Sequence, residues 1–257
     1  MKLNFTQQGQ PAGSAPAVIL LHGLFGSLSN LSLAAKALSQ DCTCYQLDLR
    51  NHGLSPHSPE MSYSAMAEDV IEFMDDQKLA QAHLLGHSMG GKVAMQIALS
   101  YPERVNKLVV ADIAPVNYPK RRNPAIEGLK ALSKNTLESR QQADQILARF
   151  IEEKQVRAFL LKNLYRDPSG HYRLRLNLSA IDTHYQSISE TLTGTLFSGP
   201  TLFLKGSHSS YIQQQHKEAI LTLFPNAKIK VISGTGHWLH SEKPDTFNRL
   251  VKQFINN

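Results

Sequence analysis

The sequence predicts an α/β fold, a mostly parallel central sheet with helices on both faces. Three observations predict it. Short apolar runs of strand length alternate with runs of helix formers along most of the chain. With 257 residues and 42% hydrophobic content, the chain can bury a large core as one domain, 1–257. In addition, Gly86-His87-Ser88-Met89-Gly90-Gly91 sets a serine between an apolar run and a helix-forming run, which reads as a strand-to-helix turn.

The elements follow in order. Met1 to Gln10 lacks the apolar core of a signal peptide, and no run approaches the roughly 18 apolar residues of a membrane span. A cytoplasmic protein is the expectation. Ala17–Leu21 is the first buried strand and ends in His22-Gly23-Leu24-Phe25-Gly26-Ser27. Cys42 and Cys44 lie at i, i+2 in a strand-like stretch, on one face and poorly set to bridge, so free thiols are expected. The polar residues of Leu47 to Ser55 read as holding a turn together. His83-Leu84-Leu85 forms a short buried strand before the serine turn. Lys92 to Ser100, with Val93, Met95, Ile97 and Leu99, forms a helix after it. Lys107 to Ala111 is the next strand and Asp112 ends it, on the same sheet edge as the serine turn. From about Val116 to Glu190 there is little strand character and much amphipathic helix, bordered by Tyr118-Pro119 and Ser198-Gly199-Pro200. Thr201–Lys205 and Ile229–Ile232 are the last strands, and a helix from about Glu242 to Ile255 closes the chain.

Ser88 is the candidate nucleophile. The turn forces it into a strained conformation, and a side chain at Gly86 or Gly90 would collide with the neighbouring strand or helix. The helix that starts after Ser88 aims free N–H groups at the space where an anion would form. A serine hydroxyl needs a base to take its proton, and the base needs a group to orient it. Of eleven histidines, His237 stands out, in Gly234-Thr235-Gly236-His237-Trp238 between the last strand and the last helix. His22 and His87 flank the turns and read as turn-shaping; the others have no matching context. No zinc-ligand spacing such as H-E-x-x-H is present, so metal catalysis is set aside.

Five blocks, His22 to Asn30, Asp48 to Pro56, Gly86 to Lys92, Asp112 to Val116 and Gly236 to Pro244, resemble the α/β-hydrolase superfamily, and within it the small bacterial esterases of the YbfF type. The resemblance implies an oxyanion hole made by the backbone N–H groups of Leu24 and Met89, with His237 as base and without cofactor or metal. In most relatives the acid is the fourth residue of a G-x-x-D turn, which here reads Gly206-Ser207-His208-Ser209. Some relatives draw it instead from the strand that ends here at Asp112. The expected order is therefore Ser88, Asp112, His237, with Ser209 as an accessory hydroxyl near the imidazole. For Asp112 the plain alternative is a strand-end cap.

The resemblance also implies a helical cap, here 116–190, inserted after the family's strand 6. Ala148, Phe150, Ile151, Phe159, Leu160, Leu161, Leu164 and Tyr165 supply its apolar surface at near-helical spacing. A minority of these is expected to join Phe25, Met89 and Trp238 around the acyl group. The cap holds thirteen Lys or Arg against eight Asp or Glu, while the rest holds fourteen against thirteen. Lys120, Arg121 and Arg122 lie at its entrance and would favour anionic substrates such as acyl-coenzyme A; a solvated helix face is the plain alternative. The expected partner is thus a small-molecule ester or acyl thioester. A carbon-carbon bond hydrolase or a perhydrolase would use the same residues, and a non-catalytic ligand receptor would not need all of them. Epoxide hydrolases and dehalogenases need an aspartate where Ser88 stands. The net charge of +6 raises nucleic-acid binding, which no aromatic-interleaved basic motif supports.

Overall fold

Seven strands form one sheet in the order β1-β3-β2-β4-β5-β8-β9. They are β1 (Phe5–Gly9), β2 (Ala17–Leu21), β3 (Thr43–Leu47), β4 (Ala82–His87), β5 (Val105–Ala111), β8 (Thr201–Gly206) and β9 (Ala227–Ile232). Only β1 runs antiparallel, against β3. The computed structural model describes residues 1–119, 122–189, 192 and 194–257.

The central strands β2 and β4 are buried along their whole length, which is why they read as continuous apolar runs without alternation. Period-2 geometry still divides their side chains between two cores. Ile19, Leu21, Leu84, Leu108, Val110 and Phe203 pack with α2 (Tyr63–Asp76), α3 (Met89–Ser100) and α8 (Lys217–Leu223). Val18, Leu20, Leu85, Val109, Leu202 and Leu204 pack with α1 (Ser32–Leu38) and α10 (Pro244–Asn256) on the other face.

Strand order reverses at β2: β3 lies on one side of it and β4 on the other. The loops after β2 and β4 therefore leave the same edge in opposite directions and open a crevice between them, the place where open α/β sheets bind ligands. The strand ends are in register there, with Leu21 opposite Gly86, His87 opposite Ala111, and Ala111 opposite Leu204.

Between β5, the fifth strand in chain order, and β8 lie α4 (Pro124–Ser133), α5 (Arg140–Leu147), α6 (Lys154–Leu161) and α7 (Leu178–His184). The same insert holds a hairpin that the helical reading missed, β6 (Leu164–Arg166) with β7 (Tyr172–Leu174). Its turn is built by Asp167-Pro168-Ser169-Gly170. Asp167 accepts from the His171 N–H at 3.0 Å, and Gly170 takes a φ of +89°. Leu164 and Tyr165 thus belong to a strand, not to a helical stripe. The C-terminal helix also differs from expectation. A separate short helix, α9 (Leu239–Glu242), precedes α10, and the two are divided at Lys243, which leaves the helical region (φ −135°, ψ 66°) just before Pro244. Cys42 and Cys44 are buried free thiols. Among the described residues no helix is long and apolar enough to cross a membrane.

Candidate active site

Ser88 joins β4 to α3 with a φ of +53°, a left-handed conformation rare for a residue with a side chain. The surrounding packing enforces it. A Cβ on Gly86 would lie 2.1 Å from the Gly90 carbonyl oxygen, and one on Gly90 would lie 2.3 Å from that of Leu21. Strands β2 and β4 and helix α3 thus approach backbone to backbone, and the turn between them holds Ser88 up at the sheet edge.

The loop after β9 brings His237 to this turn, its Nε2 3.0 Å from Ser88 Oγ. On the other side of the ring, Nδ1 lies 2.8 Å from Asp112 Oδ2. A carboxylate oxygen accepts, which puts the ring proton on Nδ1 and leaves the Nε2 lone pair to the serine hydroxyl. Asp112 follows β5 directly, is 0% exposed and has a φ of +54°. Its Oδ1 accepts from the Gly206 N–H at 3.0 Å, and its Oδ2 also accepts from the Ser209 hydroxyl. The sequence motif thus leads to a continuous hydrogen-bonded chain from Asp112 through His237 to Ser88, with Ser209 on the carboxylate. Such a chain can take a proton from the serine hydroxyl and hold it on the imidazole.

Neighbouring rings fix the imidazole in place. Tyr211 stacks on His237 with centroids 4.1 Å apart and planes 25° apart. His87 Nε2–H donates to the His237 carbonyl at 2.9 Å. Burial, reinforced by His240 and His237, holds His87 well below the usual histidine range. His240 is pushed down to about 4 by burial and by the nearby charges of His237 and Lys162.

The loop after β2 is a tight turn closed by Gly26 N–H to Gly23 carbonyl at 2.9 Å. It rests on buried histidines. His22 accepts from the Leu49 N–H at 3.0 Å, and His52 Nε2 accepts from the Phe25 N–H at 3.2 Å. The turn around His52 is itself tied by Asp48, which accepts from the N–H groups of Leu28 at 2.7 Å and Leu54 at 2.9 Å.

A cavity of about 450 Å³ opens over Ser88, within the range of small-molecule sites. Gly23, Leu24, Ser88 and Met89 form one wall. Met89 is the first residue of α3, so its N–H lacks an acceptor four residues back. Phe25 and Trp238 line the cavity, joined by Val156, Phe159 and Leu160 of α6. Phe159 touches Trp238 with centroids 6.0 Å apart, joining the insert to the His237 loop. Of the other insert residues in the apolar set, Ile151, Leu161 and Leu164 are core and Phe150 is exposed.

The structure does not bring Arg122 into this cavity. Its side chain is 82% exposed and pairs with Glu127 at 3.4 Å, while Lys120 and Arg121 lie outside the described residues. Sequence reasoning missed Tyr63, Lys92, Tyr118 and Tyr211 as cavity residues. Among the described residues no group of three or more His, Cys, Asp or Glu could hold a metal ion.

Residues 16–244 match the family model described as alpha/beta hydrolase fold. The chain is similar to the esterase YbfF of Escherichia coli, 39% identical over 258 residues covering all of both chains. It is similar also to the mouse sn-1-specific diacylglycerol lipase ABHD11, 40% identical over 93% of this chain and 81% of that one. Among solved structures, a marine microorganism esterase superposes with a TM-score of 0.92 at 38% identity, covering 98% of this chain and 99% of the other.

Proposed function

The chain belongs to the α/β-hydrolase family, and on that premise we propose that it hydrolyses carboxylic esters, acyl thioesters among them, through an acyl-serine intermediate. The observation that carries this reading is the hydrogen-bonded chain Asp112–His237–Ser88 at the wall of an apolar-lined cavity. Relatives named as esterases and a lipase, similar over most or all of their length, support the substrate class.

Ser88 Oγ attacks the carbonyl carbon while His237 Nε2 takes its proton. The carbonyl electron pair moves to oxygen, which the N–H groups of Leu24 and Met89 hold; one such donor is worth about 2.7–4 kcal/mol in the transition state. Asp112 keeps the proton on Nδ1 and stabilises the imidazolium, with Ser209 orienting the carboxylate. The imidazolium then protonates the leaving alcohol or thiol. Water attacks acyl-Ser88 as His237 takes a proton from it, and that proton returns to Ser88 Oγ as the acid departs. Residues 116–190 act as the cap, and Phe25, Phe159, Leu160 and Trp238 contact the acyl group.

The test compares a short neutral ester with acyl-coenzyme A thioesters of several lengths, using wild type and Ser88→Ala. Ser88-dependent turnover of the ester supports the reading. Faster turnover of the thioesters, with KM rising for them alone when Lys120, Arg121 and Arg122 are neutralised, supports the basic-rim extension. An equal effect on both substrates removes that extension. Turnover of neither substrate would overturn the ester reading and favour carbon-carbon hydrolysis or ligand reception on the same fold.

A further inference from the structure

The turn that presents Leu24 is strained and held from outside. Gly23 to Gly26 forms a β-turn in which Phe25, its third residue, has a φ of +61° while Leu24 does not share that region. That is the pattern of a type II turn, whose third position normally requires glycine. A phenylalanine there carries backbone strain, which persists only where the surroundings over-determine it. Relaxation to a type I turn would rotate the Leu24–Phe25 peptide by about half a turn.

Both polar groups of Phe25 are tied down by side chains from other elements. Its N–H donates to His52 Nε2 at 3.2 Å, and its carbonyl accepts from Asn163 Nδ2 at 2.8 Å. His52 gives its Nδ1–H to the Arg50 carbonyl at 2.9 Å, which fixes Nε2 as an acceptor. A relaxed turn would aim the Leu24 carbonyl at that lone pair, acceptor against acceptor. Asn163 belongs to the insert, between α6 and β6, and is 4% exposed. Its side-chain amide also donates from Nδ2 to the Leu160 carbonyl at 3.0 Å, while its main-chain carbonyl accepts from the Arg175 N–H at 2.9 Å. Two acceptors facing one end of the amide identify that end as the NH₂ group.

We propose that Asn163 is a positioning residue: by clamping the Phe25 carbonyl together with His52 at the Phe25 N–H, it makes docking of the insert a condition for the oxyanion-binding geometry of the Leu24 turn. The proposal rests on the ester-hydrolase reading above. Neither Asn163 nor His52 touches substrate in this account; they act through Phe25. The clamp acts on the Leu24 N–H indirectly, by holding Phe25, the residue that follows it in the same turn.

The test uses the full chain, a short neutral ester and a trifluoromethyl ketone, whose hemiketal with Ser88 carries an oxyanion in the same place. Asn163→Leu and Asn163→Asp are expected to lower kcat by roughly 10²-fold, the effect of about 1 Å of misplacement. KM stays within about three-fold of wild type, because ground-state binding does not use the donor fully. The inhibition constant of the ketone rises by the factor by which kcat/KM falls. In a Phe25→Gly background, where the turn is unstrained, Asn163→Leu should lower kcat by a smaller factor than it does alone. If the Asn163 variants do not fold, His52→Leu leaves the insert intact and should give the same paired loss of kcat and ketone affinity. A folded Asn163→Leu with wild-type kcat and ketone affinity, a loss confined to KM, or a His52→Leu that binds the ketone normally would overturn the clamp. A wild type that neither turns over the ester nor binds the ketone would instead remove the hydrolase reading, and the clamp with it.

Discussion

His237 Nδ1 and Asp112 Oδ2 lie 2.8 Å apart although 125 residues separate them, and the carboxylate is fully buried on its own strand end. The Ser209 hydroxyl reaches the same oxygen from the turn after β8. Asp112→Asn keeps the shape but cannot hold the ring proton on Nδ1, so kcat for a short ester should fall by roughly 10³–10⁴-fold. Placing a carboxylate at the neighbouring turn, Asp112→Asn with Ser209→Asp, should recover part of that loss. Steady-state rates of the two variants decide it; a double variant no faster than the single one means that position 209 cannot face His237.

Gly90 permits a close backbone approach between α3 and β2 at the working edge of the sheet. Gly90→Ala puts a methyl 2.3 Å from the Leu21 carbonyl oxygen, a contact with backbone that no rotamer can relieve. The expected effect is about 1–3 kcal/mol of lost stability, as for other overpacked sites, together with a drop in kcat as α3 moves off β2. Urea unfolding of Gly90→Ala beside wild type checks the first and ester hydrolysis the second.

The parts of the site legible in the sequence are those whose chemistry is written locally. The turn around Ser88 is announced by its flanking glycines, and His237 by the glycines before it and the helix after it. Asp112 was reachable only through the family resemblance, which says where the acid usually stands, here Ser209, and which other strand end can offer one. The sheet was legible because buried parallel strands are continuous apolar runs. Contacts that depend on where the insert folds back were not. Asn163 lies 138 residues from Phe25 and has no motif around it, and Tyr211 meets His237 only through the fold. The β6–β7 hairpin does carry a local signal, the turn-forming Asp167-Pro168-Ser169-Gly170, which the helical reading of this stretch did not use.

Buried histidines make the fold acid-sensitive. Burial pushes His52 down to about 3, and His83 and His240 down to about 4, against an ordinary value of 6.5. These rings are neutral when folded and protonate when exposed, so the unfolded chain binds more protons between about pH 6.5 and the depressed values. Their stabilising contribution is complete above about pH 6.5. It is lost as pH falls toward about 4, at up to about 1.4 kcal/mol per unit for each ring. Urea midpoints measured from pH 7.5 to 5 should drop, and His240→Leu should flatten the slope. A midpoint independent of pH in that range would contradict the assignment.

Arg50 anchors the turn that carries His52. Its guanidinium meets both carboxylate oxygens of Asp69, at 2.6 and 2.9 Å, with both side chains buried. Asp69→Ala leaves that charge buried without its carboxylate and should destabilise the fold by about 3–5 kcal/mol. Arg50→Met with Asp69→Leu should be far less damaging. Chemical denaturation of the single and double variants checks this, and a single variant as stable as wild type would show that the pair is dispensable.

In the proposed mechanism Ser88 carries the acyl group between the two steps. Rapid acid quench of the enzyme with a p-nitrophenyl ester, followed by mass spectrometry of the intact chain and its peptides, tests it most directly. A transient mass increase equal to the acyl group is expected, confined to the peptide containing Ser88 and missing from Ser88→Ala, which releases no nitrophenol above background. Turnover that persists in Ser88→Ala, or an adduct on a different residue, would contradict it.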